Sequence, residues 1–191
     1  IVMWRAFVYN PGDEDRAKQA YSEFMPLDGA FRKNVVIQVK NGPVDFQPRE
    51  PFSPLFGAMR KTSVMPEFQI TQENLGHAGH LVYLGTLFEE VLQSDTYENG
   101  KGSTVSKVLQ NYQKTHGISA IAGVPNIGTD LNWTGHLFGQ ANWYAFGRLA
   151  WNPDTSSGKI AEDWARMTFS NDKSVLSLVL KIMMMSRETY V

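Results

Sequence analysis

Two short runs alternate apolar and polar side chains, and helical stretches separate the runs from their neighbours. In Asn34-Val-Val-Ile-Gln-Val-Lys40, Val35, Ile37 and Val39 form one face, and Val36, Gln38 and Lys40 form the other. In Glu67-Phe-Gln-Ile-Thr-Gln-Glu73, Phe68 and Ile70 oppose Glu67, Gln69, Thr71 and Glu73. Two further runs read as strands: the β-rich residues 1–9, expected to be buried, and Ile118 to Val124. Strands divided by helices and long connections favour parallel βαβ units. An open doubly wound sheet wants apolar side chains on both faces. A closed barrel meets its helices on the outside and turns polar inside, near the C-terminal mouth. One apolar and one polar face in a βα order therefore favour a (β/α)₈ barrel, although a half-solvated antiparallel sheet shows the same alternation.

Helices are expected from about Asp13 to Phe24, His80 to Gln93, Ser103 to Tyr112, Phe138 to Trp151, Lys159 to Phe169 and Lys173 to Arg187. Residues 41–60 carry Pro43, Pro48, Pro51 and Pro54, too many for a regular element. At 191 residues the chain has room for about one domain of ordinary size. Its opening directly on a strand-like run, with no start Met and no signal pattern, leads us to expect a piece of a longer protein. Lys plus Arg number 18 against 19 Asp plus Glu, which argues against a nucleic-acid or anionic-membrane partner. No apolar run approaches the ~20 residues of a membrane span. With no Cys there is neither a thiolate metal site nor a Cys nucleophile.

Barrel chemistry sits at strand C-termini. Arg5 stands in an otherwise apolar strand and needs an anionic partner, for which an ion pair within the barrel is the simpler reading. Lys40 and Glu73 end their strands, where a solvated terminus is the plain alternative. Asp45 follows the Gly42-Pro43 turn, which could hold it in place or merely use it as a turn residue. Together they put two cations and two carboxylates at the ends of three consecutive strands, suited to an acidic substrate with acid/base chemistry. Trp133 in Asn132-Trp-Thr-Gly-His136 could line the same mouth and stack on a sugar. His77 and His80 lack a third ligand, so no metal site is expected. Gly100-Lys-Gly-Ser-Thr104 lacks the upstream Gly of a phosphate loop and reads as a loop capping the next helix. Asn132-Trp-Thr134 is a glycosylation sequon, relevant only to a eukaryotic secretory route. Met183-Met-Met185 reads as a packed helix face.

The segments VMWRAFVYNPGDEDRAKQAY, NVVIQVKNGPVDFQPREPFSPLFGAM, EFQITQENLG, HLVYLGTLFEEVL and NIGTDLNWTGHLFGQANWYAFGRLAWNPD resemble bacterial α-glucuronidases of glycoside hydrolase family 67. The resemblance covers nearly the whole chain. It implies an α/β fold in which residues 1–150 are the C-terminal half, strands 5–8, of a (β/α)₈ TIM barrel. Residues 151–191 would then lead into a C-terminal helical domain. The implied activity is release, with inversion and without a cofactor, of (4-O-methyl)-D-glucuronic acid α-1,2-linked to the terminal xylose of xylo-oligosaccharides. The implied substrates are aldouronic acids and glucuronoxylan oligosaccharides, and the implied parent is a homodimer. Inversion takes a general acid and a water-activating base roughly 6.5–9.5 Å apart.

Carried over, Asp45 in KNGPVDFQP and Glu73 in ITQE match the two base-side carboxylates, with the proton acceptor left open between them. Arg5 in VMWRAF and Lys40 in VKNGP match basic residues that hold the uronate carboxylate. Leu131 stands where the resemblance leads one to expect a basic residue. In the family the catalytic acid, the aromatic wall and a further Lys lie ahead of the stretch matched here, so residues 1–191 alone are expected to be inactive. The other reading is a non-catalytic uronate-binding or assembly fragment. A bacterial cytoplasm is the expected compartment, although family members also occur at the cell surface and outside the cell.

Overall fold

The computed structural model describes residues 1–9, 12, 14–71, 79–127, 129, 131 and 136–190. The elements follow in the order β1 (Val2–Arg5), α1 (Arg16–Phe24), β2 (Val35–Lys40), the single turn α2 (Leu55–Ala58), β3 (Ser63–Gln69), α3 (Gly85–Gln93) and α4 (Val105–His116). Then come β4 (Ala122–Val124), α5 (Phe138–Trp151), α6 (Ser157–Thr168) and α7 (Lys173–Tyr190). The strand order is β1-β2-β3-β4. β1 runs parallel to β2, with Arg5 opposite Gln38, and β2 runs parallel to β3, with Lys40 opposite Glu67. Parallel neighbours need a crossover, which α1 supplies between β1 and β2 and the proline-rich segment supplies between β2 and β3. The α/β reading and the parallel pairing hold; the antiparallel alternative does not.

The register sorts the side chains. Successive residues of a strand point to opposite faces. The pairings therefore align Arg5, Gln38, Lys40, Met65 and Glu67 on one face. Ile37, Val39, Val64 and Phe68 lie on the other and are all at most 2% exposed.

Two expectations are corrected. Residues 1–9 do not form a buried strand: β1 ends at Arg5, and Val2, Met3 and Trp4 are largely exposed. Among the described residues β1 pairs only with β2, and an edge strand buries little however apolar its sequence. The third strand does not run 67–73 but Ser63–Gln69. Pro66 argues against a strand from composition, yet the register seats it opposite Val39 inside the ladder. The helices keep their expected places, with ends shifted by a few residues. Side-chain caps explain several starts: Asp15 accepts from Ala17 N–H at α1, Thr104 from Lys107 N–H at α4, and Ser156 from Lys159 N–H at α6. Gly100 to Thr104 is thus a capping loop, as expected.

The chain divides into two compact units, Ile1–Phe68 with Val91–Ala122, and Gln69–Glu90 with Gly123–Val191. In the first, Tyr112 Oη donates to the Met59 carbonyl (2.6 Å), tying α4 to the turn after α2. In the second, the buried Asn142 amide donates to the Val82 carbonyl (3.0 Å) and accepts from Leu84 N–H (2.8 Å). The Tyr83 hydroxyl between them donates to the Ser157 carbonyl (2.9 Å), and burial pushes its pKa above the ordinary range. Asn142→Leu orphans two buried backbone groups, each at a cost of about 1–3 kcal/mol. We expect a loss of about 2 kcal/mol, checked by chemical denaturation; an unchanged midpoint would show that the amide is not what holds this segment.

Met183 is fully buried in α7, whereas Met184 and Met185 are 36% and 52% exposed, so the Met run straddles the packed face. No helix among the described residues is long and apolar enough to cross a membrane. No three His, Cys, Asp or Glu side chains among them are grouped as a metal site requires. His77 lies outside the described residues.

Candidate active site

The polar face of β1–β3 builds the site from its floor upward. Glu67 on β3 is fully buried. Its carboxylate accepts two N–H bonds from the Arg5 guanidinium, from Nε at 2.8 Å and Nη2 at 2.5 Å. A third comes from the Gln38 amide at 2.7 Å. The bidentate fork fixes the guanidinium plane. The hydrogen bond to Glu67 is the largest cause holding Arg5 above the usual arginine pKa, burial opposes it, and the Asp45 charge adds to it. A guanidinium carries five N–H donors. Those not used by Glu67 belong to a side chain that is still 45% exposed.

Lys40, one turn of the pleat beyond Gln38, is the last residue of β2. Its ammonium donates to the Asp45 carboxylate, which the loop after β2 brings back over the strand end. The Lys40 side chain is only 11% exposed, against 37% for Asp45. The solvated-terminus alternative for Lys40 is therefore corrected: the strand end is covered. Two aromatic rings do the covering. Lys40 Nζ lies 4.7 Å from the Phe7 ring centroid and 5.3 Å from that of Phe46. Arg5 Cζ lies 5.4 Å from the same Phe7 ring. The Phe7 ring thus attracts both cations by cation–π interaction. A cavity of about 200 Å³ opens beside Lys40 and Asp45, walled further by Tyr9, Arg16 and Tyr21. Two cations, one held by a buried carboxylate and one by a part-exposed carboxylate, suit a ligand with an acid group of its own.

Residues 1–133 match the glycosyl hydrolase family 67 middle domain, and residues 134–191 match the glycosyl hydrolase family 67 C-terminus. The chain belongs to glycosyl hydrolase family 67. It is 42% identical over 198 residues to alpha-glucuronidase A of Emericella nidulans, and 43% identical over 195 residues to an alpha-glucuronidase of Hypocrea jecorina. A probable alpha-glucuronidase A of Aspergillus clavatus is 44% identical over 196 residues. Each match covers all of this chain and 23% of the relative, so the chain spans about a quarter of these relatives' length. These family 67 relatives are fungal.

Of the residues matched to family 67 roles, the structure brings Arg5, Lys40 and Asp45 together. Glu73 and Trp133 lie outside the described residues. The ion pair weighed for Arg5 is present, with Glu67 as its partner. Glu67 itself was not singled out, because a carboxylate on an alternating strand reads as solvated. The signal that finds it is Arg5: a cation in an apolar strand calls for a carboxylate on the neighbouring parallel strands. Phe7 and Phe46 were likewise missed, since nothing in their spacing marks them as cation platforms. Leu131 is fully exposed and makes no apolar packing.

Proposed function

We propose that this chain carries the base side and the uronate-recognition side of a family 67 α-glucuronidase. The reaction is hydrolysis, with inversion and without a cofactor, of (4-O-methyl)-D-glucuronic acid α-1,2-linked to the terminal xylose of aldouronic acids. The observation that carries this reading is the Arg5–Phe7–Lys40–Asp45 grouping at the C-terminal ends of β1 and β2. Arg5 and Lys40 bind the uronate carboxylate, and Asp45 with Glu73 orients and deprotonates the attacking water. Trp133 stacks on the sugar at the mouth. The general acid is assigned to no residue of this chain.

In the same proposal β1–β4 are strands 5–8 of a (β/α)₈ barrel within residues 1–150. Residues 151–191 lead into a helical domain. The parallel order and the polar strand face support it. Exposed Leu178, Ile182 and Met185 on α7 support association of two copies, the homodimer of the proposal.

The test uses the full-length protein with an aldouronic acid, following the released uronate by proton NMR. Initial appearance of the β-anomer supports inversion. No release overturns the activity, and an α-anomer first overturns the stereochemistry. Lys40→Met then tests recognition. It removes a charged donor, each such bond being worth about 1.5–3 kcal/mol. Specificity for the uronate over its neutral glucosyl analogue, read as the ratio of the two kcat/KM values, is expected to fall by ~10-fold or more. Equal preference in wild type and variant would remove Lys40 from that role.

A further inference from the structure

Glu50 has no part in the roles assigned above, yet the loop carrying Asp45 is built around it. Its Oε2 accepts from Val44 N–H and its Oε1 from Gln47 N–H, each at 3.1 Å. These two donors bracket Asp45 and Phe46. Phe46 has a φ of +55°, a left-handed conformation that a bulky residue seldom adopts without outside restraint. Gly42 makes the space, because a Cβ there would overlap the Glu50 carboxyl. The product of this turn is the seating of Asp45 on Lys40, with the Phe46 ring over the same ammonium. Burial pushes the Glu50 carboxyl up from its ordinary pKa, and the two backbone N–H bonds draw it back down. The Asp45 charge raises it and the Lys40 charge lowers it, so Glu50 shares their electrostatic neighbourhood.

We propose that Glu50 is a positioning residue for Asp45: its carboxylate clamps residues 44–47 in the left-handed turn that seats Asp45 against Lys40. The kinetic side of this proposal rests on Asp45 acting as a base-side carboxylate; the geometric side does not. Both oxygens of Glu50 are engaged by backbone N–H groups of the loop, so the effect is transmitted through the backbone.

The experiment is Glu50→Gln in the full-length protein, with Gly42→Ala as a second variant that keeps the carboxylate but displaces it. Misplacing a catalytic group by about 1 Å can cost ~10²-fold. We expect kcat to fall ~10-fold to ~100-fold, with KM close to wild type. In an Asp45→Asn background the same Glu50→Gln change is expected to cost nothing further, because residues acting as a unit are not additive. A purely structural Glu50 would instead lower kcat by the same factor in both backgrounds, and that additivity overturns the proposal, as does an unchanged kcat. A crystal structure of the Glu50→Gln protein reads the geometry directly. Asp45 displaced from Lys40 supports the clamp, and Asp45 still seated there overturns it. This arm holds whether or not the wild type hydrolyses aldouronic acids, so failure of the clamp and failure of the assigned activity are told apart.

Discussion

Replacing Asp45 by asparagine in the full-length protein is expected to lower kcat on aldouronic acids by ~10²-fold or more, the usual worth of a general base. KM should stay near the wild-type value. The substitution is nearly isosteric, and the Asn Oδ1 can still accept the Lys40 ammonium that holds Asp45 in place. What it removes is the charge and the ability to take a proton from water. Lys40→Met is the converse change: it leaves the base but removes a cation that reads the uronate. The two variants should therefore separate in specificity: Asp45→Asn lowers kcat and leaves the preference for the uronate, whereas Lys40→Met lowers that preference and, by removing the ammonium that seats Asp45, part of kcat as well. Steady-state kinetics on both, with circular dichroism to confirm folding, decides the matter. Asp45→Asn retaining more than about a tenth of wild-type kcat would leave the loop after β2 without a catalytic role, whatever its geometry.

Arg5, Lys40, Asp45 and Glu73 were matched to family roles because long, family-specific runs surround them, and the structure groups the first three. Spacing alone left each with a plain alternative, and the structure resolves those alternatives differently. For Arg5 the ion pair is real, and it coexists with exposed guanidinium edge. For Lys40 the solvated end is not, because Phe7 and Phe46 cover it. The helices α6 and α7 fell close to their expected bounds because local chemistry starts them. Ser156 caps α6, and Asp172 accepts from Ser174 and Val175 N–H at the start of α7. β3 was misplaced by four residues at its start because it was placed by its own alternation, whereas the pairing that begins it at Ser63 comes from β2, a partner distant in sequence. The burial of β1 was misjudged for the same reason: an apolar run states what a strand can bury, and only its neighbours decide what it does bury. Glu67 and Glu50 were invisible for a third reason. Their roles are to hold Arg5 and the Asp45 turn, and a holding role appears only when the held groups are in place.

Arg5→Met should be the most destabilising change at the site, and Arg5→Met with Glu67→Met together should recover most of the loss. The argument turns on which partner is left behind. Removing Arg5 strands a carboxylate that is fully buried and retains only the Gln38 amide. Breaking a buried pair in this way costs about 3–5 kcal/mol, and the part-exposure of Arg5 argues for the lower end, about 3 kcal/mol. Removing Lys40 strands Asp45, which is 37% exposed and can be hydrated, so Lys40→Met should cost about 1 kcal/mol or less. Replacing both Arg5 and Glu67 by apolar side chains removes the unpaired charge altogether, and such exchanges are often neutral or better. Thermal unfolding of the full-length protein and the three variants gives the order: wild type close to the double variant, Lys40→Met slightly below, Arg5→Met lowest. A double variant no more stable than Arg5→Met would show that Glu67 is not the stranded charge. The order also governs how kinetics at Arg5 are read. A loss of uronate recognition in Arg5→Met reports the guanidinium only if it persists in the double variant, where the fold is restored and the cation is still absent.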